Sequence, residues 1–191
     1  MSEIEQKTDL LRYLQDARDA LLWKLEGLSE YDVRRPLTPT GTNFLGLVKH
    51  ATAVELGYLC DVFGRSHGEP MPGPDDDLYA TADETRELIV DRYRRAWTHT
   101  DASVRELPLD TVGKVPWWPE GRDEVTFHHA LVRVLGDTQR HAGHADILRE
   151  GLDGAVGWRA DNDSLASDDP QWWQAYRDRL QKVAEQAATS R

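Results

Sequence analysis

The sequence predicts an all-α fold: an antiparallel four-helix bundle over about residues 5–152 with a further helix docked on it over about residues 170–188, the whole forming one domain. Three observations carry this. Apolar residues recur at steps of three and four almost throughout, strand-like alternation between turn residues is nearly absent, and four long periodic runs are separated by segments rich in Gly and Pro. A chain of 191 residues can also bury a substantial single core.

The first helix is read from Thr8 to Leu28, where Leu10, Leu11, Leu14, Ala17, Leu21, Leu22, Leu25 and Leu28 make one apolar stripe. Gly27, Ser29 and Pro36 end it, and Thr42 or Asn43 is placed to cap a second helix from Phe44 to Phe63. The stretch GRSHGEPMPGPDDD, Gly64 to Asp77, has no period and reads as a long loop of the kind that rims a site. Thr81, with Glu84 at capping-box spacing, is the expected start of a third helix that reaches Leu107. A second loop, Pro108 to Glu124, holds Trp117 and Trp118 between Pro116 and Pro119, either as a lid over the bundle end or as the lip of a pocket. The fourth helix runs from Thr126 to Leu152. After a polar connector, Asp153 to Asp169, Pro170 opens a fifth helix with Trp172, Trp173, Tyr176 and Leu180 on one side for docking.

Composition removes several function classes. With 23 Lys and Arg against 34 Asp and Glu, the formal charge of −11 disfavours a nucleic-acid or anionic-membrane partner. No run approaches the roughly 18 apolar residues of a membrane span, and the first residues have neither a basic leader nor an apolar signal core. A cytoplasmic, reducing location is therefore expected. The single Cys60 excludes an internal disulfide and reads as a buried, inert thiol.

The fourth helix carries the chemical signal. Its inward stripe reads Phe127, Ala130, Val134, Asp137, His141, His144 and Leu148, so three polar side chains stand where apolar ones belong. Burying such groups without partners costs on the order of 1–3 kcal/mol each, against a net stability of roughly 5–15 kcal/mol. A shared cation is the simplest solution. On the second helix, His50 interrupts a stripe of Phe44, Leu47 and Val54 in the same way. Two histidines and a carboxylate on facing helices are an established means of building an open metal centre. By spacing alone, either Asp137 or His144 can complete the set with His50 and His141.

The stretches TGTNFLGLVKHATAVELGYL, VPWWPEGRDEVTFHHALVRVLGDTQRHAGHADILREGLDG and WWQAYRDRL resemble the DinB/YfiT-like superfamily, and specifically its actinobacterial branch of mycothiol-dependent S-transferases and maleylpyruvate isomerases. That resemblance implies a four-helix bundle with a divalent metal, Zn first and Mn, Ni or Fe as alternatives. The positions matching the family's ligands are His50, Asp137 and His141, with aspartate where that branch usually has the longer glutamate. It further implies a mycothiol-type thiol as cosubstrate, activated as thiolate for attack on an electrophile, and either a monomer or a homodimer. His144 is then expected as an acid/base group and Arg149 as a holder of the cosubstrate, although Arg140, Arg149 and Glu150 also read simply as a solvated face. Alternatives on the same scaffold are a metal-dependent hydrolase or isomerase, or a metal-binding protein without turnover.

Overall fold

The computed structural model describes residues 2–73, 76–161 and 164–189. In chain order its elements are α1 (Glu3–Trp23), α2 (Glu30–Arg34), α3 (Phe44–Leu59) followed by a 3-10 turn (Asp61–Phe63), α4 (Arg86–Glu106), β1 (Val112–Lys114), β2 (Glu124–Thr126), α5 (Phe127–Asp153) and α6 (Pro170–Thr189). The all-α class is as expected. No described helix is long and apolar enough to cross a membrane.

The boundaries differ from the sequence expectation where local chemistry outweighs apolar periodicity. α1 begins ahead of its stripe because Ser2 and Glu5 form a reciprocal capping box, and it stops at Trp23 before Gly27 turns the chain at φ 74°. Ser29 then caps the short α2, which the sequence did not signal. Asn43, rather than Thr42, caps α3 by accepting from the Gly46 N–H at 2.8 Å. The Thr81–Glu84 pair forms, with the Glu84 carboxylate accepting the Thr81 N–H at 2.9 Å, but it closes a turn ahead of the helix; Thr85 is the cap of α4. Within the tryptophan loop, β1 and β2 pair antiparallel, Val112 opposite Thr126. Strands of three residues are too short to show alternation.

Four of the helices, α1, α3, α4 and α5, form a ring in which α1 and α3 each lie against both α4 and α5. α1 runs antiparallel to α4, as Arg18 to Asp101 and Arg86 to the Leu25 carbonyl show. α3 and α4 instead run in the same direction: Leu45 and Leu47 share a cluster with Ile89 at one end, and Leu59 and Val62 share another with Val104 at the opposite end. Parallel neighbours need a connection that returns the length of α3, about 24 Å for 16 residues. That requirement accounts for the long segment between Cys60 and Arg86.

This crossover is fastened along α3. Asn43 Nδ2 donates to the Leu78 carbonyl at 3.1 Å, and Lys49 Nζ donates to the Tyr79 carbonyl at 2.8 Å. Gly46 is required beneath it, since a Cβ there would stand 2.1 Å from the Leu78 oxygen.

Two apolar clusters fill the bundle ends, one around Leu14, Leu59, Val104 and Phe127, the other around Leu21, Phe44, Ile89 and Ala145. Between them lies a polar belt. Arg18 and Glu55, both 0% exposed, form a two-point ion pair (Nε–Oε1 3.0 Å, Nη2–Oε2 2.6 Å), while Thr100 Oγ1 accepts from Arg18 and Asp101 takes its remaining edge. The carboxylates hold the Arg18 guanidinium charged despite its burial.

α6 departs from the expected docking. None of its described residues is buried; Trp172 stacks on Tyr176 at 5.2 Å and 7° between planes, and Trp173 meets both edge to face. The rest of the apolar side read from the sequence stays exposed, Leu180 to 50%.

Two outcomes follow for stability, both measured by denaturant unfolding. Glu55→Ala removes the buried half of the Arg18 pairing, leaving only the partly exposed Asp101 to offset its charge, and lowers stability by about 3–5 kcal/mol. Gly46→Ala forces the crossover off α3 at a cost of about 1–3 kcal/mol; an unchanged midpoint would contradict the close approach at Leu78.

Candidate metal centre

The polar belt continues on the other side of the bundle, between α3 and α5. Thr126 caps α5, whose inward residues Phe127, Ala130, Leu131 and Val134 are buried, and the next inward positions are Asp137 and His141, both half-buried. His50 faces them from α3. Its Nε2 lies 3.6 Å from Asp137 Oδ2, and His141 Nε2 lies 3.5 Å from the same oxygen. The two imidazoles meet edge to face with centroids 4.8 Å apart. One donor atom from each of the three residues falls within 4.8 Å of the others.

These gaps are longer than the 2.7–3.2 Å of a protein hydrogen bond, and Asp137 Oδ2 is buried without a hydrogen-bond partner. A buried carboxylate oxygen lacking a donor is costly. The separations are instead close to the edge of a tetrahedron of ligands around an ion with bonds of about 2.0–2.1 Å, roughly 3.3 Å. The residues therefore fit a divalent cation placed among Oδ2 and the two Nε2 atoms. Aspartate reaches although it is a methylene shorter than glutamate, because Asp137 and His141 are one turn apart and His50 leans in from α3.

Burial alone would push the Asp137 carboxyl up, but His50, His141 and Arg133 together hold it below the usual carboxylate range. The Asp137 carboxylate, opposed by burial and assisted by Asp77, raises His50 above an ordinary imidazole. Burial, opposed by Asp137 and helped by His50, His144 and Arg140, lowers His141.

Each histidine is held from behind. His50 Nδ1 is 2.7 Å from Asp77 Oδ2, and His141 Nδ1 is 3.3 Å from His144 Nδ1. A histidine that offers Nε2 to a cation carries its proton on Nδ1, so His50 donates to Asp77 and His141 donates to His144; these tautomers follow from the network. Asp77 went unrecognised in the sequence because it sits in a loop without period, joined to His50 only by the crossover. His144 lies outside the three-residue cluster, exposed, and touches it through His141.

Arg149 stands apart, about two turns beyond His141. Its guanidinium is buried and occupied, donating to both Asp153 oxygens at 2.9 Å and to the Lys24 and Glu26 carbonyls at 2.8 Å. It fastens the end of α5 to the end of α1, which leaves no edge for a cosubstrate. Cys60 is buried, and burial pushes its thiol up, so it is poorly suited to act as the sulfur nucleophile. Trp117 and Trp118 both donate to the Tyr58 hydroxyl, at 3.2 and 3.1 Å. The pair therefore closes over the α3 end beside Arg133, whose guanidinium lies 5.2 Å from the Trp118 ring.

The cluster borders a cavity of about 250 Å³ walled by His50, His141 and His144 with Gly41, Asn43 and Leu78. On its other side α5 presents an open, shallow face with Arg133, Gly136, Asp137 and Arg140.

A family model for mycothiol-S-transferases matches residues 9–154, from α1 to the end of α5, and so includes the whole cluster. None of the curated proteins matches the sequence. Among solved structures, one described as the conserved protein of locus from Enterococcus faecalis superposes with a TM-score of 0.57 at 15% identity, covering 78% of this chain and 97% of its own, which is a likeness of fold.

The geometry predicts about one divalent ion per chain in metal analysis of the purified protein, and loss of that ion in His141→Ala; full occupancy in the variant would exclude the cluster. Acid should weaken binding. His50 must be neutral to ligate and its value lies above the ordinary imidazole pKa of about 6.5, so metal affinity, followed by chelator competition, rises with pH through and beyond that value and then levels. A flat profile from pH 6 to 8.5 would contradict this.

Proposed function

Because the chain belongs to the mycothiol-S-transferase family, we propose that it transfers a low-molecular-weight thiol of the mycothiol type onto an electrophile, with His50, Asp137 and His141 holding a divalent cation. Zn suits two nitrogens and one oxygen with an open position, and Mn, Ni or Fe accept the same set. The cation supplies, when bound, the positive charge that makes a thiol acidic enough to be a thiolate at neutral pH. The observation that carries the reading is the His50–Asp137–His141 cluster itself, which lies within the residues matched by the family model and whose histidines wall a cavity of about 250 Å³.

The protein's own residues have defined tasks in this scheme. Asp77 and His144 fix the orientation of the two ligand imidazoles. His144, exposed on the wall of that cavity, is the group beside the cluster able to exchange the thiol proton with solvent. Trp117 and Trp118, braced on Tyr58, cover the end of α3 beside Arg133. In the reaction the S–H proton is lost, sulfur bonds to the electrophilic carbon, and the bond from that carbon to the leaving group breaks with its electron pair, so the net products are a thioether and the protonated leaving group. The buried Cys60 takes no part, and the reactive sulfur arrives with the cosubstrate.

The test is conjugation of mycothiol to a chromogenic electrophile, followed with metal-loaded protein, with chelated protein and without thiol. Conjugation in the first alone is expected, with His144→Ala slower by about 10²-fold. Turnover that persists after chelation, or that consumes the electrophile without thiol, would overturn the proposal.

A further inference from the structure

A second cavity, separate from the metal centre, lies on the α4 side of α3. His50 faces α5, whereas Lys49, Thr52, Ala53 and Leu56 line a space of about 170 Å³ that is bounded opposite by α4 and across by Pro70, Met71 and Pro72 of the crossover. Three separate parts of the chain therefore enclose it. Its walls are mostly apolar, and two of them, Leu56 and Ile89, are buried at 0% and 3% exposure. None of the three cluster residues reaches this wall.

Five charged side chains line the same cavity, and four of them are spent on one another. Lys49 Nζ is 2.7 Å from Glu84 Oε2, and Arg95 grips Glu69 at two points, 2.6 and 3.1 Å. Arg92 is left over. Among the described residues it makes no hydrogen bond, and its one ion pair is a 3.8 Å approach of Nε to the Glu69 oxygen that Arg95 Nη2 already uses. That Nε is also shut off from solvent without a hydrogen-bond partner. Removing a charged donor from water without supplying an acceptor is unfavourable. The buried arginines elsewhere in the bundle escape this, since Arg18 and Arg149 each donate to both oxygens of a carboxylate.

We propose that this cavity is a binding site for a small organic anion: a carboxylate on an apolar body of about one ring, with the carboxylate on the Arg92 guanidinium and the body between Ala53, Leu56 and Ile89 under Met71. The charge follows from the pairing, because Lys49 with Glu84 and Arg95 with Glu69 cancel and leave a single positive charge to be met. The head group follows from the planar fork of the guanidinium, which matches a carboxylate at two points. The size follows from the volume, since an apolar cavity of about 150 Å³ accommodates benzene. Met71 stands between two prolines that restrict its backbone, and its flexible thioether adapts to the shape of the body beneath it. The site takes no part in the transfer step and stands whether or not the thiol reading holds.

The experiment titrates benzoate, and benzamide as its uncharged match, into metal-loaded, ¹⁵N-labelled protein and follows the backbone amide resonances. Saturable shifts at Ala53, Leu56, Met71 and Ile89 are expected with benzoate, and benzamide should bind about tenfold or more weakly. In Arg92→Met, which keeps the apolar stem, benzoate should fall to the affinity of benzamide. Ala53→Leu fills the cavity with Arg92 in place and should weaken acid and amide together. Each variant's own spectrum reports that it is folded. His141→Ala, expected to lose the cluster's ion, should bind benzoate as the wild type does. Absence of saturable benzoate binding, shifts centred on His50 and His141, affinity lost in His141→Ala, or an acid-to-amide ratio unaltered in Arg92→Met would each overturn the proposal.

Discussion

The structure turns on one oxygen atom. Asp137 Oδ2 is buried, receives no hydrogen bond, and faces two imidazole nitrogens at 3.5 and 3.6 Å. Left alone, this arrangement would oppose folding, because an unsatisfied carboxylate oxygen and two desolvated imidazoles occupy positions that leucines would fill at a gain of about 1.5–3 kcal/mol each. A cation reverses the sign of each contact. The same carboxylate raises the pKa of His50, so protons compete with a cation for its Nε2.

The bundle is arranged to tolerate that belt. Apolar clusters occupy both ends, and the polar groups are gathered at mid-height, where Arg18 and Glu55 neutralise each other on one side and the His–Asp–His cluster occupies the other. The parallel course of α3 and α4 has a direct functional consequence. It obliges the chain to return along the bundle between Cys60 and Arg86, and that return delivers Asp77 to the back of His50. Gly46 admits the crossing and Asn43 fastens it, so a backbone constraint near the start of α3 bears on the orientation of a ligand one turn later. At the other end, the tryptophan loop closes over Tyr58 and leaves Arg133 braced beside the site.

How much of this was legible in the sequence depended on whether the signal was periodic. His50, Asp137 and His141 were visible because each breaks an apolar stripe at a position the helix must turn inward, and the helical class was visible for the same reason. Asp77 was not, since a contact made across 27 positions by an aperiodic loop leaves no trace in local spacing. Arg149 was misread because an arginine near a polar stripe resembles a ligand-binding group, whereas its role depends on the carbonyls at the end of α1. The docking of α6 was expected from its aromatic side, yet rings at steps of one, three and four contact one another while Leu180 stays exposed.

The central claim is that one cation belongs among Asp137 Oδ2, His50 Nε2 and His141 Nε2. Anomalous diffraction from crystals of the purified protein, collected on both sides of the absorption edge of the metal found by analysis, tests it most directly. The account predicts a single peak about 2.0–2.2 Å from all three atoms, with Asp77 still behind His50. A peak coordinated by His144 in place of Asp137, or a loaded protein with no peak between α3 and α5, would contradict it.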